Sequence, residues 1–219
     1  MTTFQIGVDE AGKGPVLGPM VAAAVCGDTE ALPAGVVDSK RLSANKRESL
    51  AADLQADSEI EIGVGSVETA EIDDPETDMN QLTVTAQVRA IQQVATDDDC
   101  IIVDAGDVSE NRFGRRVTDG LADEGLTVDV TAEHGADDSY LLVAAASIIA
   151  KVERDRRMQT VSKQYDQPLG SGYPSDQTTR TFLSNYVETH GTVPDCARRS
   201  WSTCDDVLAA AEQSALGEF

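Results

Sequence analysis

Two adjacent acids, Asp9 and Glu10, are followed almost at once by Gly12-Lys13-Gly14. Neighbouring carboxylates repel each other unless a cation compensates them, and glycines let backbone approach a ligand closely. Two further acids stand where elements should end or begin. Asp104 closes the apolar run Ile101-Ile102-Val103, and Asp137 lies in Ala136-Asp137-Asp138-Ser139. Hard carboxylate oxygens suit Mg²⁺ or Mn²⁺. Two such ions about 3.5–4 Å apart can activate a water and stabilise the leaving oxygen in phosphodiester hydrolysis. Taken singly, each acid in so acidic a chain reads as a surface charge or a helix cap. The glycine turn is what sets Asp9 and Glu10 apart.

The elements that must position these groups follow from hydrophobic periodicity. Residues 4–8 read as a short buried strand, residues 10–15 as a glycine-rich turn and residues 18–26 as a second apolar strand. Residues 59–66 alternate as a half-exposed strand does; further strands are expected over 101–104 and 126–131. Helices are expected over 43–56, 79–95, 138–158, 176–188 and 205–211. The third of these carries the apolar stripe Leu142, Ala145, Ile149 and Val152. Its last turns hold Arg154, Arg156 and Arg157, where cations complement the helix dipole. The pattern is mixed α/β, a class whose sites gather at strand ends. Gly170-Ser171-Gly172-Tyr173-Pro174 then breaks the chain. With no repeat or low-complexity linker, the expected organisation is a core over 1–160, a helical extension over 161–211 and a tail over 212–219.

Composition narrows the class. Of 219 residues, 39 are acidic and 17 basic, a net charge of -22, and 41% are hydrophobic. The acids lie along the whole chain, and Lys13, Lys40, Lys46, Lys151 and Lys163 are its only lysines. Regular apolar segments favour a folded protein with a solvated acidic surface over a disordered one. Such a surface repels itself unless screened, and at 1 M salt the Debye length is about 3 Å. A salt-rich cytoplasm is therefore the expected setting. No apolar run is long enough for a membrane helix, and the N-terminus lacks the layout of a signal peptide. Cys26, Cys100, Cys196 and Cys204 form no C-x-x-C pair and stand apart from both histidines, so free thiols are expected in place of a zinc site.

The stretch Gly7-Val8-Asp9-Glu10-Ala11-Gly12-Lys13-Gly14-Pro15, continuing through Gly18-Pro19 into Ala22-Ala23-Ala24, resembles the N-terminal signature of the ribonuclease HII family. Asp38-Ser39-Lys40, Val103-Asp104 and residues 133–137 resemble later blocks of its archaeal branch. So do residues 144–155 and 170–176, all in family order. The resemblance covers nearly the whole chain. It implies a ribonuclease H-like α/β fold, a five-stranded mixed sheet flanked by helices, here with a small C-terminal helical extension. It also implies that Asp9, Glu10, Asp104 and Asp137 bind two Mn²⁺ or Mg²⁺ ions; between Asp137 and its neighbour Asp138, only the resemblance chooses. The implied reaction is hydrolysis of RNA in RNA–DNA hybrids, or 5′ of a ribonucleotide in duplex DNA, leaving 3′-hydroxyl and 5′-phosphate ends. Backbone groups of Gly12, Lys13 and Gly14 would contact the ribose 2′-hydroxyl, the one group that marks a ribonucleotide. Tyr173 would pack on the adjoining deoxyribose, and Lys40 is a further substrate-binding candidate.

Two positions leave the family pattern. Lys13 stands where arginine is usual and offers a point charge instead of a planar fork. Gly135 stands where a lysine is usual. His134 lies nearby but is not placed among the catalytic residues. An acidic protein must still meet a polyanion, whose binding normally rests on basic residues. Lys13, Lys40, Arg41, Lys46, Lys151 and the pair Arg198-Arg199 beside Trp201 are the candidates for a local positive strip.

The chain ends in Gln213-Ser214-Ala215-Leu216-Gly217-Glu218-Phe219. The spacing of Gln213, Leu216 and Phe219 lets a short helical turn present Leu216 and Phe219 to a hydrophobic pocket. It resembles the peptide by which repair enzymes bind the ring-shaped sliding clamp; the alternative is a frayed terminus. A monomer without membrane attachment is expected. An actin-like ATPase or sugar kinase would need a second phosphate loop and an adenosine-binding motif, and Gly-x-x-x-x-Gly-Lys-Ser/Thr is absent. A catalytically dead hybrid-binding module is disfavoured by the presence of all four acids. Ribonuclease HIII would bring an additional N-terminal domain, not expected where the first strand begins within a few residues of the start.

Overall fold

The computed structural model describes residues 5–36 and 42–217, and the side chains of 214–217 are not described. Lys40, Arg41, Phe219 and the side chain of Leu216 therefore lie outside the described residues.

The strands β1 (Ile6–Ala11), β2 (Met20–Cys26), β3 (Glu61–Val67), β4 (Cys100–Asp104) and β5 (Asp129–Glu133) form one mixed sheet in the order β3-β2-β1-β4-β5. β1, β2 and β3 are an antiparallel meander, with Asp9 opposite Ala23. β1, β4 and β5 run parallel. Parallel neighbours need crossovers, and α4 (Glu110–Asp123) supplies the one between β4 and β5. Because β1, β4 and β5 share a direction, their C-terminal ends bring Asp9, Glu10 and Asp104 to one edge of the sheet.

Both faces are covered, which is why β1, β2 and β4 read as nearly continuous apolar runs. α3 (Met79–Ile91) and α4 pack on one face, over Ile6, Val8, Ala22 and Ala24. α1 (Ala44–Ala56) and α6 (Leu141–Ser162) pack on the other, over Ala11, Ala23 and Val25, while the one-turn α2 (Thr69–Ile72) follows β3. Gly7 belongs to the α6 face. A Cβ there would overlap the backbone of Leu142 and Val143, so glycine lets α6 come down onto β1.

A third core joins the turn after β1 to the C-terminal helices. Val16 and Leu17 pack with Met158 of α6, with Phe182, Leu183 and Val187 of α7 (Gln177–His190), and with Cys204 and Val207 of α8 (Ser202–Gly217).

The single helix expected over 138–158 is two. A one-turn α5 (Ala136–Ser139) is separated from α6 by Tyr140, whose backbone is extended. The cause is anchoring to the sheet edge: the Ala136 N–H donates to Asp104 Oδ1 at 3.0 Å and the Tyr140 hydroxyl to Glu133 at 2.9 Å. α6 also runs on to Ser162, so Arg154, Arg156 and Arg157 are not in its last turn. Arg154 is buried, while Arg156 and Arg157 pair with Glu153 and Glu68. β5 begins later than expected because the Thr127 amide is committed to the Asp97 carboxylate. α8 runs through residues 211 and 212 without a break. All four cysteines are free thiols. No helix among the described residues is long and apolar enough to cross a membrane.

Candidate active site

The pleat of β1 sends its two acids to opposite faces. Asp9, only 5% exposed, turns toward α6, where Ser147 hydrogen-bonds it and Lys151 Nζ donates to Ser147 Oγ at 2.6 Å. Glu10 turns toward α3, where Gln87 Nε2 donates to Oε2 at 2.8 Å. The same Gln87 nitrogen reaches the Asp104 carbonyl at 3.1 Å and so ties the ends of β1 and β4 together. Asp137 is buried within α5, the element whose first amide is held by Asp104.

Asp9 and Glu10 do not ionise freely. Burial pushes Asp9 up to about 7, against the Ser147 hydrogen bond, with the Asp104 charge adding to the rise. Burial and then the neighbouring Asp9 push Glu10 up to about 8, against the Gln87 hydrogen bond. Among the described residues, no three His, Cys, Asp or Glu side chains stand as a ready-made ion cage. What fits Mg²⁺ or Mn²⁺ here is the donor chemistry, all carboxylate oxygen, and a mutual repulsion that a divalent cation would relieve.

Beside the acids lies a cleft of about 410 Å³, lined by Glu10, Gly12, Lys13, Gly14, Arg47, Lys151, Arg154 and Tyr173. Sequence reasoning expected the glycine turn and Tyr173 to face one site, and the structure brings them to the same cleft. Tyr173 is 44% exposed, and a Cβ added at Gly14 would sit 3.7 Å from its ring. Gly12 has φ +91°, and a Cβ there would overlap the Arg154 side chain, so both its conformation and its space call for glycine. A larger groove of about 550 Å³ between α3 and α4 holds none of the four acids.

The basic residues divide differently from the expected strip. Lys13 Nζ reaches across the cleft edge to Asn80 Oδ1 at 3.1 Å and to the Gly106 carbonyl. Lys151 supports Ser147. Arg199 pairs with Asp195. Arg198 is a correction: it is not a surface cation but wholly buried, and its guanidinium donates to the carbonyls of Gly12, Lys13 and Gly18. Burial and the nearby Arg154 bring it down to about 9. His134 is engaged by the Asp107 carbonyl and by Glu110. Arg47 in α1, which lines the cleft, and Gln87, Ser147 and Arg198, which support it, were not singled out for those roles. For Gln87 and Ser147 the available signal was a polar residue set within an apolar helical face.

A mixed five-stranded sheet in this order, with helices on both faces and acids at the ends of parallel strands, defines a protein of ribonuclease H architecture. The family model for ribonuclease HII matches residues 6–204. A ribonuclease HII from Halobacterium salinarum is 58% identical over 98% of this chain and 99% of its own. The crystal structure of the ribonuclease H2 from Pyrococcus horikoshii OT3 superposes with a TM-score of 0.84 at 37% identity, covering 95% of this chain and 98% of that one. The structure of the PCNA:RNase HII complex from Archaeoglobus fulgidus gives 0.79 at 36%, covering 91% and 95%. The chain belongs to the ribonuclease HII family and is an endonuclease that hydrolyses phosphodiester bonds.

Proposed function

We propose that this endoribonuclease hydrolyses RNA in RNA–DNA hybrids and cuts 5′ of ribonucleotides embedded in duplex DNA, leaving 3′-hydroxyl and 5′-phosphate ends. The observation that carries this reading is the meeting of buried Asp9 with Glu10 and Asp104 at the ends of adjacent parallel strands, beside the glycine turn. Asp9, Glu10, Asp104 and Asp137 would hold two divalent cations, Mn²⁺ or Mg²⁺. Such ions, when bound, supply an activated water and stabilise the leaving oxygen.

The chain's own residues do the rest. Ser147 and Lys151 support Asp9 from α6, while Gln87 orients Glu10 and braces β4. The Lys13 and Gly14 amides and the Tyr173 ring line the wall on which a ribose would lie. No side-chain nucleophile is required. Lys40, outside the described residues, is a candidate for a phosphate contact.

The division into a catalytic core over 1–160, an extension over 161–211 and a tail over 212–219 belongs to the same reading. In it the tail, through Gln213, Leu216 and Phe219, docks on a sliding clamp. The PCNA complex of the Archaeoglobus fulgidus relative supports that partner. The working protein is a monomer in a salt-rich cytoplasm, consistent with its net charge of -22.

The test is a labelled DNA duplex holding one ribonucleotide, incubated with the protein and Mn²⁺ in high salt. A single cut 5′ of the ribonucleotide, with a 3′-hydroxyl upstream, is expected. No cut, or a cut on its 3′ side, would overturn the reading.

A further inference from the structure

The carbonyls of the glycine turn are all gripped from below. Arg198 donates Nη2 to Gly12 O at 2.5 Å, Nη1 to Lys13 O at 2.9 Å and Nε to Gly18 O at 2.9 Å. Trp201 Nε1 reaches Gly14 O at 3.4 Å, and its ring stacks under the Arg198 guanidinium at 5.0 Å. The Arg198 amide also donates to Val16 O at 2.8 Å, closing the same segment onto the turn.

Peptide planarity turns this grip into aim. In a trans peptide the carbonyl and the following N–H point in opposite directions, and no cis bond occurs among the described residues. Drawing the Gly12 and Lys13 carbonyls inward to Arg198 therefore drives the Lys13 and Gly14 N–H groups outward, toward the cleft that these residues line. Among the described residues neither amide has a protein acceptor. A planar guanidinium can hold several carbonyls in one fixed arrangement, which an ammonium cannot. Since Arg198 has no exposed surface, molar salt screens these bonds far less than it would a surface lysine.

We propose that Arg198 is a positioning residue that aims the Lys13 and Gly14 amides at the ribose 2′-hydroxyl. This rests on the reading of the turn as the ribose-sensing wall. The α7–α8 linker thereby sets the specificity of a site built on β1.

The test compares binding of two fluorescent duplexes in Ca²⁺ and high salt, one with a single ribonucleotide and one all-deoxy, by the full-length wild type and by Arg198→Lys. A wild type with no ribose preference refutes the ribose-sensing turn itself, whatever the variant does. Given that preference, Arg198→Lys should lose about tenfold of it, the effect of losing amide–hydroxyl bonds, while its affinity for the all-deoxy duplex stays unchanged. Equal loss on both duplexes, or no loss on either, overturns the proposal. Should Arg198→Lys not fold, amide exchange in the wild type decides. The Lys13 and Gly14 amides should exchange quickly in the free protein and slow with the ribonucleotide duplex alone; equal slowing by both duplexes, or by neither, overturns it.

Discussion

Replacing Gln87 by Met removes a donor from the site at nearly constant volume. Gln87 is fully buried, and its Nε2 serves Glu10 at 2.8 Å and the Asp104 carbonyl at 3.1 Å. Its Oε1 is buried with no hydrogen-bond partner among the described residues. The substitution therefore also relieves an unsatisfied acceptor, and the metal-free fold should lose less than the ion site does. A hydrogen bond to a charged group contributes about 1.5–3 kcal/mol, and every 1.4 kcal/mol is about a factor of ten. Without this bond Glu10 moves still further above its ordinary range, so an incoming ion must displace a proton more often. Mn²⁺ affinity should fall roughly 10–100-fold, the usual effect of losing a partner behind a ligand. Two titrations read it: the rise of melting temperature with Mn²⁺ in the free protein, and the cleavage rate against Mn²⁺. Both midpoints should move to higher Mn²⁺, with much of the maximal rate regained at saturation. An unchanged midpoint in the melting titration would show that Gln87 does not support an ion-binding Glu10.

Three other outcomes follow from particular contacts. Gly12→Ala puts a side chain at φ +91° against Arg154; it should cost about 1–3 kcal/mol in denaturant unfolding and slow ribonucleotide cleavage more than it weakens duplex binding. Asp107 is held down at about 2 by Arg112, whose guanidinium bonds both its oxygens. A carboxyl lowered in the folded state stabilises above its unfolded value and loses that contribution as pH falls through the folded one. Arg112→Gln should thus lower the melting temperature at neutral pH, and the gap to wild type should close as pH falls from about 4 to about 2; a gap constant over that range would contradict the assignment. Deleting residues 213–219 should abolish binding to a sliding clamp in a pull-down while leaving cleavage of free substrate intact; clamp binding that survives removes the tail proposal.

Much of the fold was legible because β1, β2 and β4 are buried on both faces and so read as short apolar runs, and because Asp9, Glu10 and Asp104 end such runs. The break at Tyr140 was not legible. It depends on the Asp104 contact to Ala136, which joins residues far apart in sequence. Arg198 was misread for a similar reason. In a chain short of cations an Arg-Arg pair looks like a surface patch, and only the third core, which folds the C-terminal helices over the glycine turn, buries it. Gln87 shows locally only as a polar residue on an apolar helical face; its partners, on β1 and β4, are distant in sequence. The cleft beside Glu10 was foreseeable from the glycine turn, but the Arg47 and Arg154 that also line it depend on how α1 and α6 pack.

Asp9→Asn tests most directly whether the acid pair at the end of β1 carries the reaction. The variant keeps the side-chain shape and removes the charge that burial already disfavours. With the single-ribonucleotide duplex and saturating Mn²⁺ in high salt, its cleavage should be abolished while duplex affinity measured in Ca²⁺ stays near wild type. Cleavage at a wild-type rate would contradict the account.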